Sequence, residues 1–198
     1  MRVWKVLVFL AMPYIILGCC KCADYIVVSS FSFCSLNTSV IDTSLSQRIK
    51  ISSADTVAAD NFGIAISFET SEGLCKTPIS IFKEAAACKC ENPNRFLLKE
   101  SVESFIVTTN NDFDASHNAG DTINSYFSKV SSNAYQPLDE FIMQELSIED
   151  EPLEILYTSF DLKLLQKPTV AGKHSFHIEI LLSDNRLLRA TTREVYLN

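Results

Sequence analysis

From Gly172 onward the chain alternates with a period of two over a length that leaves little freedom of fold. His174, Phe176, Ile178, Ile180 and Leu182 fall on one side, and Ser175, His177, Glu179 and Leu181 on the other. Successive residues of a strand point to opposite faces, so the pattern is a strand with one wide apolar side. Ser183-Asp184-Asn185 follows, and Asp and Asn tolerate the left-handed backbone that hairpin turns need. Leu187 to Leu197 returns as the partner strand. Its apolar phase shifts between Ala190 and Val195, which predicts a bulge near Thr192.

Other strand signals fill the chain. Tyr25-Ile26-Val27-Val28, leading into Phe31 and Phe33, reads as a strand buried on both faces. Phe62, Ile64, Ile66 and Phe68 alternate with Gly63, Ala65, Ser67 and Glu69, a half-buried strand. Phe105 to Thr109 is short and β-branched. Ile155, Tyr157 and Ser159 alternate with Leu156, Thr158 and Phe160. Between them, Ile123, Tyr126, Phe127 and Val130 fall at i, i+3, i+4 and i+7, which predicts a helix with Asp121 as its N-cap. A shorter helix is expected to open at Pro137, with Leu138, Phe141, Ile142 and Leu146 facing inward. Ser80 to Ala87 is a further candidate helical turn. The expected fold is therefore mainly β, with a short helical insertion at about residues 121–146. The terminal hairpin resembles the last two strands of immunoglobulin-like antiparallel β-sandwiches. In those folds a tyrosine often marks the start of the penultimate strand; here His174 stands nearest that place.

The N-terminus carries an address. Arg2 and Lys5 precede an apolar run, Val6 to Leu17, broken by Pro13. A basic start, about ten apolar residues and a small residue match a signal peptide. The run is shorter than the roughly 20 residues a membrane-spanning helix needs. Ile16-Leu17-Gly18-Cys19 resembles a lipobox, the signal for bacterial lipoprotein processing. That resemblance implies cleavage before Cys19 and lipid on Cys19. Residues 1–18 are then the signal peptide, and residues 19–198 a single β-sandwich domain with a lipid-anchored N-terminal arm. The membrane, reached through several acyl chains, becomes the first partner. An ordinary secretory signal would instead be cut further on, near Ala23.

Charge and cysteine count narrow the remaining classes. Without Arg2 and Lys5 the mature chain has 15 cations against 24 acids, and no basic cluster exceeds two residues. Nucleic acid needs a basic footprint and is excluded on this reading; polyanions and anionic lipids are disfavoured. The 180 mature residues can bury a core without depending on disulfides. With Cys19 assigned to lipid, six cysteines remain: Cys20, Cys22, Cys34, Cys75, Cys88 and Cys90. An even number outside the cytoplasm suggests three disulfides. By spacing alone, the cheapest bridge joins Cys75 to Cys88 or Cys90. Another then ties Cys20, Cys22 or Cys34 to that cluster.

No catalytic residue, metal ligand or cofactor is expected. Cys20-Lys21-Cys22 and Cys88-Lys89-Cys90 offer paired thiolates of the kind soft metals favour, but structural zinc prefers wider gaps. His174 and His177, three apart on a strand, point to opposite faces. The run from Asn110 to Asp121 is rich in oxygen ligands. Counted from Asp112, Asp114 and Ser116 fit a calcium loop, but His117 stands where Gly is needed and Ile123 where Glu is needed. A solvated loop leading to Asp121 is the better reading. Three histidines lie outside any recognisable nucleophile elbow, and pairing a cysteine nucleophile with His117 competes with the bridges. Glu149, Asp150, Glu151 and Glu154 surround Pro152 and read as a solvated linker.

A lipobox, a cysteine-rich start, Ser104 to Thr108, Asn111-Asp112-Phe113-Asp114, Ala119-Gly120-Asp121 and a final sandwich hairpin occur here together. Together they are similar to small lipoproteins of unknown function from Bacteroidota. The resemblance implies attachment to the outer membrane, facing the periplasm or the surface, and brings no activity with it. The function expected is a non-catalytic envelope lipoprotein that binds a protein or glycan. The alternative is a metal-handling or thiol-redox lipoprotein using the Cys-Xaa-Cys pairs.

Overall fold

Alternating apolar residues set the longest strands and their inner faces. The structure, a computed structural model, describes residues 28–44, 49–51, 56–71, 95–131, 134–147 and 157–198. In chain order the elements are β1 (Val28–Asp42), β2 (Ile49–Lys50), β3 (Thr56–Val57), β4 (Phe62–Ser71), β5 (Arg95–Leu98), β6 (Val102–Thr109), β7 (Phe127–Val130) and β8 (Tyr135–Pro137). Helix α1 (Leu138–Phe141) and a π-helical turn at Ile142–Leu146 follow. β9 (Ser159–Leu164), β10 (Gly172–His174), β11 (Phe176–Leu182), β12 (Leu187–Thr191) and β13 (Val195–Leu197) complete the order.

The large sheet runs β2-β1-β4-β9-β7-β8, with β5 alongside β1. Two three-stranded sheets run β12-β11-β6 and β10-β13-β3. The pairings β1–β5 and β13–β3 are parallel, and the others are antiparallel. Phe62, Ile64, Ile66 and Phe68 of β4 and Phe160, Leu162 and Leu164 of β9 are buried in one core with Phe176, Ile178, Ile180 and Leu182 of β11. Phe62 meets Phe176 at 5.0 Å between ring centroids, and Phe105 of β6 meets Phe160 at 6.3 Å. Burying each such side chain contributes roughly 1.5–3 kcal/mol relative to exposure. The result is a mainly β protein whose sheets pack as a sandwich.

β4, β6 and the terminal hairpin lie where the alternation put them. The hairpin turn places Asn185 at φ 64°, the left-handed conformation expected of this stretch. Leu138, Phe141, Ile142 and Leu146 are buried behind Pro137, as the second helical pattern required. β1 is longer than its apolar segment suggested and runs on to Asp42. Ser32 and Phe33 are both buried, so both faces of β1 are covered there.

Two expectations change. The helix over Ile123 to Val130 does not form: a single 3-10 turn at Asn124–Tyr126 leads into β7. β7 pairs with β9 through Phe127↔Leu164 and Lys129↔Leu162. Asn124 competes with helix formation directly. Its Oδ1 accepts from Val107 N at 2.8 Å and its Nδ2 donates to Phe105 O at 2.7 Å, continuing the ladder of β6. Asp121 is accordingly no helix cap; its Oδ2 accepts from Asn118 N. The bulge near Thr192 is instead a corner between sheets. β12 ends at Thr191, and β13 pairs with β10 in another sheet. Thr192 N donates to Phe176 O, and Thr192 Oγ1 accepts from Phe176 N, which satisfies both backbone groups at the crossing. The candidate turn at Ser80 to Ala87 lies outside the described residues.

Candidate functional site

The oxygen-rich segment between β6 and β7 forms the best-organised polar surface among the described residues. It leaves the core through Phe113, which is buried, and whose carbonyl accepts from Thr169 N at 2.9 Å. Its carboxylates are used by its own backbone. Asp114 Oδ1 accepts from Ser116 N at 2.7 Å and His117 N at 3.0 Å. Asp112 Oδ1 accepts from Ala119 N at 2.9 Å, and Asp121 Oδ2 from Asn118 N at 2.8 Å. Gly120 adopts φ 87°, and its N–H donates to Thr109 O, closing the loop back on β6. These are Asx-type turns, the local chemistry Asp and Asn favour.

At the centre, Tyr126 OH donates to Asp114 Oδ2 at 2.6 Å. His117 Nδ1 stands 3.0 Å from both Asp114 Oδ1 and Tyr126 OH. The imidazole meets the Tyr126 ring edge-on at 4.9 Å. The Tyr126 hydroxyl, then His117 and the Ser116 amide, hold the Asp114 carboxyl down at about 2. The same hydrogen bond, with burial, raises the Tyr126 phenol above its ordinary value. Beneath lies His174, with Nδ1 3.0 Å from Thr109 Oγ1 and its ring 5.6 Å from Phe113. Burial lowers the His174 pKa. The three polar side chains therefore fix one another, over a floor of Phe113 and His174. The arrangement holds the loop in one shape.

The other sequence candidates are scattered. His177 is exposed on β11, with Nδ1 2.9 Å from Thr191 Oγ1, while His174 is buried on β10, so the two do not share a site. Cys34 is half-buried on β1. Cys19, Cys20, Cys22, Cys75, Cys88 and Cys90, and the acidic stretch Glu149, Asp150, Glu151 and Glu154, lie outside the described residues. Among the described residues no group of three or more His, Cys, Asp and Glu side chains is placed to hold a metal ion.

Sequence reading missed Tyr126 as a partner of Asp114, because it placed Tyr126 on a helix. Asn110 to Asp121 was readable as a loop, but no local signal brings Tyr126 to it. A second missed constellation lies under α1. The Lys129 ammonium sits 4.3 Å from the Phe141 ring centroid and 4.4 Å from that of Tyr157. Its side chain shares the inner face of the sheet with Leu162, and the two rings cover it.

Among solved structures, one titled BspA_C_WT is similar at 10% identity with a TM-score of 0.25, over 83% of this chain and 50% of that one. The chain thus spans half the length of that structure. No curated protein matches the chain. The family model described as "Domain of unknown function (DUF5034)" matches residues 34–193, most of the chain, and the protein belongs to that family.

Proposed function

We propose that this protein is a non-catalytic lipoprotein of a bacterial envelope, anchored to the outer membrane by lipid on Cys19. Its sandwich, of immunoglobulin-like kind, presents the Asp112 to Asp121 loop to a protein or glycan partner. One observation carries the address: Ile16-Leu17-Gly18-Cys19 directly behind a basic, apolar leader. The binding role is supported by the end loop. Its carboxylates are hydrogen-bonded to its own backbone and to Tyr126, an arrangement that keeps shape rather than moving protons. A pre-ordered loop loses little entropy on binding.

Acyl labelling in cells tests the address. The intact protein is expected to take up labelled palmitate and to sediment with membranes. The Cys19→Ser variant is expected to lose the label and leave the membrane fraction. A variant that stays labelled overturns the assignment.

A further inference from the structure

We propose that the end of the sandwich where β1 begins rests on the lipid surface that holds Cys19, and that the loop fixed by Asp114, His117 and Tyr126 is the tip pointing away from it. The proposal rests on the lipid-anchor reading for the membrane, and on the direction of β1 for the orientation.

One end of the sandwich is tied together around the start of β1. Lys99 N, just after β5, donates to Phe31 O at 2.9 Å. Ser101 N donates to Ser183 Oγ at 3.2 Å, and Ser183 N donates to Ser101 O at 3.0 Å. Arg186 Nη1 donates to Phe33 O at 2.6 Å. The turn between β11 and β12 therefore lies at the same end as Val28. The other end is traced from the finish of β1. Ile41 pairs with Gly63, and Gly63 pairs with Lys163. Leu164 pairs with Phe127, and the preceding Tyr126 holds Asp114. Thr169 N donates to Phe113 O, which brings exposed Val170 to this second end as well.

The anchor limits the orientation. Cys19 stands nine residues before Val28, so Val28 lies at most about 32 Å from the lipidated residue. From Val28 to Ile41 β1 advances by about 42 Å at roughly 3.2 Å per residue. Standing the domain on the Asp114 end would lift Val28 beyond the reach of its tether. The tether alone would still let the sandwich lie on its side, and the chemistry of the two ends decides between side and end.

The end near Val28 suits a lipid interface. Phe31 and Phe96 form a half-buried ring pair, 5.9 Å between centroids, and Leu187 is 41% exposed. Lys99 is exposed beside them and has an apolar stem that can lie along acyl chains while its ammonium stays with the headgroups. Glu100 and Asp184 both pair with Arg186, at 2.8 and 2.5 Å, so neither carboxylate meets the bilayer without a cation. The opposite tip carries Asp112, Asp114 and Asp121 in one loop, and anionic headgroups repel it. Contact between apolar side chains and the interface adds to the hold of the acyl chains.

Tryptophan reporters test the orientation, because the single tryptophan of the chain, Trp4, is removed with residues 1–18. Lipidated mature protein carrying Leu187→Trp, Lys99→Trp or Val170→Trp is isolated from envelopes and checked against the parent by circular dichroism. Each is mixed with vesicles of phosphatidylcholine containing a minority of phosphatidylglycerol, with or without bromine on the acyl carbons nearest the headgroup. Leu187→Trp and Lys99→Trp are expected to lose emission in the brominated vesicles, and Val170→Trp to keep it. Equal or greater loss at Val170→Trp overturns the orientation. Emission kept by all three reporters on protein that floats with the vesicles overturns the lipid contact and leaves the anchor standing. Protein that does not float with the vesicles overturns both.

Discussion

His174 is buried between Phe113 and Phe176, with one ring nitrogen against Thr109 Oγ1. Burial keeps its pKa below 6.5, so the folded state takes up a proton less readily than the unfolded chain. Its contribution to stability is complete above 6.5 and is lost as pH falls from there towards the lower folded value. Urea midpoints measured from neutrality into this range are expected to fall for the native protein and to fall less for a His174→Leu variant. Equal slopes would mean that His174 does not titrate between the two states. Asp114 behaves as a carboxylate held low. Its folded value is about 2 against an ordinary 3.8, so its contribution is complete above 3.8 and disappears as pH falls through 2. The Tyr126 hydroxyl is the largest cause. Tyr126→Phe is expected to move the Asp114 titration, followed by NMR of the side-chain carboxyl carbon, upward towards 3.8. An unmoved titration would transfer the effect to His117 and the loop backbone.

Element by element, the readable parts of this chain are those in which a local pattern and the tertiary partner agree. β4 and β11 each bury one complete alternating face, so their period survives in the fold. The α1 segment survives because Pro137 starts it and Phe141 lands in the core. Phe141 packs edge-on to Phe160 at 4.8 Å and to Tyr157 at 5.6 Å, and lies against the Lys129 ammonium. Phe141→Ala is expected to cost about 3–5 kcal/mol of unfolding free energy, read from urea denaturation. A loss below about 1 kcal/mol would mean that α1 can leave the sheet without disturbing it. The Ile123 to Val130 stripe fitted a helix equally well by spacing, but β9 offered it a ladder, and such partners are invisible to a window of eight residues. Gly63 shows the same limit. It occupies the polar phase of β4, yet it is buried, and a Cβ there would lie 2.6 Å from Thr43 Cγ2 and 2.8 Å from Leu162 O. Only the neighbouring strands reveal why that position is small. The site divides in the same way: Asn110 to Asp121 was legible as a loop, whereas Tyr126 and His174 arrive from other elements.

For the whole molecule, hydrophobic packing and cross-linking are distinct contributions to stability. Among the described residues, the buried apolar cluster extends from Phe33 to Leu197 and is built of Phe, Leu, Ile, Val and Ala side chains. A chain of this length buries enough surface to fold by hydrophobic packing. Bridges, in contrast, act mainly by restricting the unfolded chain, by typically 2–4 kcal/mol each. The two contributions separate under reducing conditions. Mature protein treated with a strong reductant is expected to keep its β-rich far-ultraviolet circular dichroism at room temperature and to unfold in a single cooperative step. Its thermal midpoint is expected to fall by several degrees or more relative to the oxidised form. A spectrum that collapses to that of an unfolded chain on reduction would show that the cysteines hold the sandwich together and that the core alone does not. An unchanged midpoint would show that the native cysteines carry no stabilising bridge, and would remove the oxidising compartment from the reasoning that begins at Cys19.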